Sequence, residues 1–275
     1  MFKQYVALTT SVLLIGLTGC VTNVNAADNM RFVITSTPRP VNTPIFSDEF
    51  NDNALDANVW TTCFHWHQKI NGKVTCAAEG HLELMQPENV TQQSGTLRLR
   101  AQPQSIQAYG KTFGYTSGMI TTFDSFNFQY GRVEARVRMP RGRGILAAVW
   151  LMPIDKTWPP EIDVVEVLGH EPNTAHFTVH FPKDGQKWQD AYEGRALSTF
   201  DLSKSYNVYS VEWTPEKITW YLNGVKTHES TEVPHEKMYL LMTLKIGGHW
   251  AGPPDTSTQW PADMNIDYVR VYAHK

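Results

Sequence analysis

Residues Trp158–Gly169 read WPPEIDVVEVLG. Ile162, Val164, Val165, Val167 and Leu168 favour a strand, because branched and apolar side chains pack well on a pleated surface. Among them stand three carboxylates, Glu161, Asp163 and Glu166, within six residues. A buried strand does not carry acids on its inner face without a reason, since each unpaired buried charge is costly. Side chains alternate faces with period two, so Glu161 and Asp163 share a face and Glu166 points the other way in a regular strand. One extra residue near Val164–Val165 restores the parity. The stretch therefore predicts a β-bulge there, all three acids on one wall of a cleft, and Asp163 between the two glutamates. The competing reading is a solvent-facing edge strand with scattered acids.

Paired carboxylates at a fixed separation suit the cleavage of a glycosidic bond, one as nucleophile and one as proton donor. Two glutamates on alternate steps of a strand can approach the roughly 5–5.5 Å separation of a retaining enzyme. A negative Asp163 beside them helps keep one glutamate protonated, because like charges resist joint ionisation.

Outside the motif, strand-like runs recur with turn signals between them and helical periodicity is nearly absent. Examples are 96–101, 132–139, 176–181, 217–221 and 268–272, with Asn223-Gly224 as a hairpin turn. The pattern argues for an all-β chain, a two-sheet antiparallel sandwich. A net charge of −3 with no basic cluster argues against a nucleic-acid partner. Aromatic residues make up 12% of the chain, nine of them Trp, an excess that suits stacking on sugar rings.

The acidic motif resembles that of glycoside hydrolase family 16 in its bulged E-x-D-x-x-E form. FSDEFND (46–52), TLRLRAQ (96–102), YTSGMITT (115–122), YGRVEARVRMP (130–140), AAVWLMP (147–153), YSVEWTPEKITWYLNG (209–224), GGHWAGPPD (247–255) and IDYVRVY (266–272) follow in that family's order. The resemblance covers about residues 45–273. It implies a β-jelly roll with a concave sheet forming an open cleft. It also implies a retaining mechanism without an organic cofactor, Glu161 as nucleophile, Glu166 as general acid/base and Asp163 as assisting carboxylate. The bulged branch contains laminarinase-like enzymes, so β-1,3- or mixed β-1,3/1,4-glucan is the expected polymer.

Two departures lie in segments expected near the cleft: Leu146-Ala147 stands where an aromatic-Pro pair is common, and Met119 where Arg is common. The rival substrates on the same fold are agar, carrageenan or an acidic exopolysaccharide, with transfer to a sugar instead of water as a variant. Arg132, Arg136, Arg138, Arg141 and Arg143 make several cleft-wall segments basic; the loop residues Arg141 and Arg143 would meet an acidic sugar, and a solvated strand edge is the favoured alternative. A non-catalytic carbohydrate-binding protein is the reading from another class, and retention of all three acids weighs against it.

Trp158 and Trp150 are candidate sugar contacts beside the motif, with core or rim packing as the alternative. His180 is expected near Glu166 or the substrate. Trp250 is expected in a cleft-lining loop, and Trp188, in the polar run DGQKWQD, in an outer subsite. Trp213 and Trp220 read as core. The resemblance further implies a structural calcium held by the Glu49 and Gly95 carbonyls and the Asp267 side chain, an oxygen set acceptable to that ion. Cys63 and Cys76 are expected to form a disulfide. A zinc site with His65 and His67 is the alternative, at a spacing that matches no standard module.

Residues 1–20 read as a secretory signal. Leu17-Thr18-Gly19-Cys20 resembles a lipobox, with Cys20 as a lipidated N terminus, and ordinary cleavage after Val24-Asn25-Ala26 is the rival. Residues 21–44 read as a tether and 45–275 as the catalytic domain. The expected protein is an exported, monomeric polysaccharide hydrolase with a lipid anchor to a membrane.

Overall fold

Strand Ile145–Pro153 is buried along its whole length, so both of its faces must be covered. Ile145, Ala147, Val149 and Leu151 enter the main core, and Ala148, Trp150 and Met152 join a second apolar cluster on the opposite face. This strand lies at the middle of a six-stranded antiparallel sheet. The order across that sheet is Gln186–Leu197, Thr174–Lys183, Glu161–Leu168, Ile145–Pro153, Met238–Ile246 and Met119–Thr121.

The partner sheet has the order Val225–Ser230, Ile218–Leu222, Asn207–Trp213, Gly131–Arg138, Ala262–Ala273, Thr96–Ala108, Lys111–Ser117 and Glu83–Met85. Phe46–Asp48 pairs with Ala262–Ala273, and Val90–Gln93 with Thr96–Ala108. The pairing is antiparallel except between Glu83–Met85 and Lys111–Ser117. These assignments come from a computed structural model that describes residues 43–65, 69–70, 73–74, 76–77, 80–183, 186–198 and 200–274. The signal-like residues, Cys20, and the tether up to residue 42 lie outside the described residues. Residues Asn42–Lys275 make up one compact unit.

The core lies between the two sheets. Trp213 and Trp220 are fully buried there, as their alternating strands predict. The Asn223-Gly224 hairpin forms with φ of 50° and 78°, the positive values that a two-residue turn of this kind requires.

Alternation corrects one expectation. In Gly131–Arg138 the core takes Val133, Ala135 and Val137, so Arg132, Arg136 and Arg138 must point outward from the partner sheet. They are not cleft-wall residues. Arg136 pairs with Asp267 at 2.6 Å and lies over the Tyr206 ring.

The bulge in the motif strand is present. Val149 pairs with Val165 and Trp150 with Asp163, which leaves Val164 as the extra residue. On the other side Asp163 opposes Thr178 and Glu166 opposes His176, so three steps along one strand match two along its neighbour. Val164 and Val165 both enter the core with Ile162 and Val167. The Asp163 carbonyl accepts a hydrogen bond at 2.8 Å from the Trp220 indole N–H, which reaches across from the partner sheet.

This bond yields a prediction. Trp220→Phe keeps an aromatic ring and orphans a buried carbonyl, at a cost of about 1–3 kcal/mol before any loss of packing. The urea midpoint should fall accordingly. An unchanged midpoint would mean that the indole does not hold the bulge.

Candidate active site

The bulge puts Glu161, Asp163 and Glu166 on the face opposite the core valines. Asp163 is 1% exposed, while the two glutamates are half-buried. Glu161, Asp163 and His180 each bring one polar atom to within 4.8 Å of the other two. The Trp158 indole N–H donates to Glu161 Oε2 at 2.6 Å, which places Trp158 beside Glu161 as expected. Two cis peptide bonds, Trp158–Pro159 and Pro159–Pro160, lead into the strand.

Burial pushes the Asp163 carboxyl well up. The neighbouring Glu161 charge and a hydrogen bond to Glu161 push the same way. Asp163 is therefore shifted toward its neutral form and shares a hydrogen bond with Glu161. Glu166 is likewise held well above the usual carboxylate range, first by burial and then by the charge of Asp163. Lys245 acts against both shifts. Glu161 thus accepts hydrogen bonds, while Glu166 is poised to hold and release a proton.

The flanking aromatics divide between the two ends. Trp150 is 4% exposed and donates to Thr243 Oγ1 at 3.2 Å, so it serves the second apolar cluster and also walls a cavity beside Glu161. That cavity measures about 390 Å³, and Trp158, His65 and Lys245 line it too. Trp250, 41% exposed on the short helix Gly248–Ala251, meets the edge of His176 with ring centroids 4.7 Å apart.

His180 faces Asp163, with Nε2 3.3 Å from Oδ2, and lies across from Glu161. His180 also acts through space on Glu166, as expected, while the cross-strand neighbour of Glu166 is His176, because the bulge shifts the register by one step. Trp188 belongs to the strand Gln186–Leu197 and not to a polar loop, since Lys183 pairs with Gln186 to start a hairpin. Its side chain lies outside the described residues. Leu146 packs with Leu168 and Ala251 beneath the Trp250 turn, and Met119 packs with Trp150, so both departures shape the support under the cleft.

Cys63 and Cys76 are bonded, with Cα atoms 5.1 Å apart, so neither thiol is left for zinc. His65 stacks on Phe123 and shares a 2.8 Å hydrogen bond with the Tyr239 hydroxyl, while His67 lies outside the described residues. Of the residues assigned to calcium, Asp267 gives Oδ2 to Arg136, and Glu49 gives both carboxylate oxygens to Arg270 at 2.8 and 2.7 Å. Gly95 sits in a turn at φ 73°. The only carboxylate in that set is neutralised by a guanidinium.

Sequence reading missed Lys245 and Lys156, and it weighed His65 only as a zinc ligand, not as a wall of this cavity. Lys245 did leave a trace: it ends the run MYLLMTLKI, where one lysine interrupts an otherwise apolar strand. His65 left none, because its partners Tyr239 and Phe123 are distant in the chain.

A carboxyl in the position of Glu166 that acts as a proton donor must be protonated, so activity that depends on it falls as pH rises through its raised pKa. Asp163→Asn removes a carboxylate that raises that pKa whenever it is ionised. The alkaline limb of the kcat/KM profile for glycan cleavage should therefore move to lower pH. A limb that stays, or moves up, would contradict the coupling.

Residues 79–270 match the family described as Glycosyl hydrolases family 16. The endo-1,3-1,4-β-glycanase EglC of Rhizobium meliloti (strain 1021) is 38% identical over 253 residues, covering 86% of this chain and 52% of that protein. The endo-1,3-1,4-β-glycanase ExsH of the same organism is 34% identical over 254 residues, covering 86% and 53%. The chain thus spans about half the length of these curated relatives. Among solved structures, the laminarinase catalytic domain of Thermotoga maritima MSB8 superposes with a TM-score of 0.76 at 29% identity, over 85% of this chain and 98% of that one. The endo-β-1,3-glucanase of Pyrococcus furiosus gives 0.75 at 32%, over 84% and 94%. With its acids, bulge and two sheets in place, this chain belongs to family 16 of the glycosyl hydrolases.

Proposed function

We propose that this chain is a retaining endo-β-glycosidase that hydrolyses β-1,3- or mixed β-1,3/1,4-glucan by double displacement. The observation that carries the proposal is the bulged strand. It presents one glutamate fixed by hydrogen bonds from Trp158 and Asp163, and a second glutamate held protonated by burial. Glu161 attacks the anomeric carbon while Glu166 protonates the leaving glycosidic oxygen. The deprotonated Glu166 then takes a proton from water, which releases the glycosyl group from Glu161. Trp158 and Trp150 offer aromatic walls for the sugar held at Glu161.

The glucan substrate is supported by the relatives named endo-1,3-1,4-β-glycanases and by the solved laminarinases. We also infer that the protein is exported, monomeric and lipid-anchored through Cys20. The leader-like residues 1–20 support export, and so does the Cys63–Cys76 bond, which suits an oxidising compartment.

Reducing-sugar release from laminarin and from mixed-linkage glucan tests the reading. Wild type should release sugar from at least one of them, and Glu161→Gln should lose activity about as completely as a missing nucleophile implies. Glu166→Gln should slow the polymer reaction by about 10²–10⁴-fold. Release from neither glucan, or full activity in Glu161→Gln, would overturn it.

A further inference from the structure

The cavity beside Glu161 contains two cations that no acid neutralises by direct contact. Lys156 stands in the turn after strand Ile145–Pro153, exposed, with its ammonium 5.3 Å from the Phe123 ring centroid. Lys245 rises from the neighbouring strand Met238–Ile246, and its ammonium lies 4.6 Å from the Trp150 ring centroid. Among the described residues neither forms an ion pair. By contrast Lys217 and Lys226, on the partner sheet, share Glu229 at 2.9 and 2.8 Å. Both lysines line the same 390 Å³ space as Glu161, Trp158 and Trp150.

Aromatic faces steady an ammonium without consuming its hydrogen-bond donors. Two such groups converging on one sugar-sized space make a site for an anion, and the Trp faces make it a site for a sugar ring. A purely neutral glycan would leave both lysines without a directly contacting anion, with only Glu161 in the same space and the through-space pull of Asp163 and Glu166 on Lys245.

We propose that this cavity is a subsite for a glucan unit carrying a carboxylate substituent, placed on the side of the cleft where Glu161 acts. The proposal rests on the reading that the cleft binds a β-glucan chain, and adds to it an anionic decoration. Lys245 also acts through space on Asp163 and Glu166, so its removal alters the acids as well. Lys156 is not among the charges acting on either acid. Substitution of this exposed lysine isolates the subsite from the chemistry.

The test uses mixed-linkage glucan oligosaccharides, neutral and with carboxylates introduced by oxidation at C6. Calorimetry on the Glu161→Gln protein should show the carboxylated ligand binding about tenfold more tightly at low salt, with the preference shrinking as salt is added. Adding Lys156→Gln should remove most of that preference. In the otherwise native enzyme, Lys156→Gln should lower the carboxylated-to-neutral ratio of kcat/KM and leave the pH profile in place. Equal affinity for the two ligands, or a preference that survives Lys156→Gln, would overturn the subsite. A carboxylate preference in a protein that cleaves no glucan would instead sink the glucanase reading and leave the subsite standing.

Discussion

One extra residue in the strand Glu161–Leu168 is the constraint on which the active face depends. Without it, the alternation that sends Glu161 and Asp163 to the cleft would send Glu166 into the core and a valine into the sugar site. With it, Val164 and Val165 both pack between the sheets and the three acids line up on the other side. A bulge breaks the regular ladder, and the groups it frees need partners. Here the Asp163 carbonyl receives the Trp220 indole N–H from the opposite sheet. The core and the site are therefore coupled at one atom: the residue whose side chain lies between the two glutamates has its backbone held by the sandwich interior.

That geometry separates the two glutamates electrically. Asp163 is the most deeply buried of the three acids and is pushed toward its neutral form, so it serves Glu161 as a hydrogen-bond donor. Burial raises the pKa of Glu166 in turn, and the Asp163 carboxylate adds to that whenever it is ionised. His180 closes the far side of Asp163, and Trp158 fixes the free side of Glu161. Lys245 tempers both raised acids from across the cavity, so the strength of the proton donor is a balance between a dry floor and one nearby cation.

Much of this was legible from the residues because it is local. Period-two alternation in the motif, plus the cost of burying acids, was enough to require a bulge at Val164–Val165. Asn-Gly marked its turn, and two cysteines in a chain with a leader-like start marked their bond. What was not legible depends on register and on which sheet a strand joins. Arg132, Arg136 and Arg138 looked like cleft residues until their strand proved to belong to the partner sheet, where Val133, Ala135 and Val137 claim the inner face. His180 acts on Glu166 as expected, but the cross-strand neighbour of Glu166 is His176, because the bulge moves the register by one residue from Ala175. Lys245, Lys156 and His65 converge on one cavity from three separated segments, and no local pattern records such a meeting.

The central claim is that Glu161 forms the bond to the sugar and Glu166 handles the proton. The most direct measurement is to trap the intermediate with an activated 2-deoxy-2-fluoro β-glucan disaccharide and locate the added mass by peptide mapping. A covalent glycosyl group on Glu161 is the predicted result. A label on Glu166 or Asp163, or catalysis with inversion at the anomeric carbon, would contradict the account.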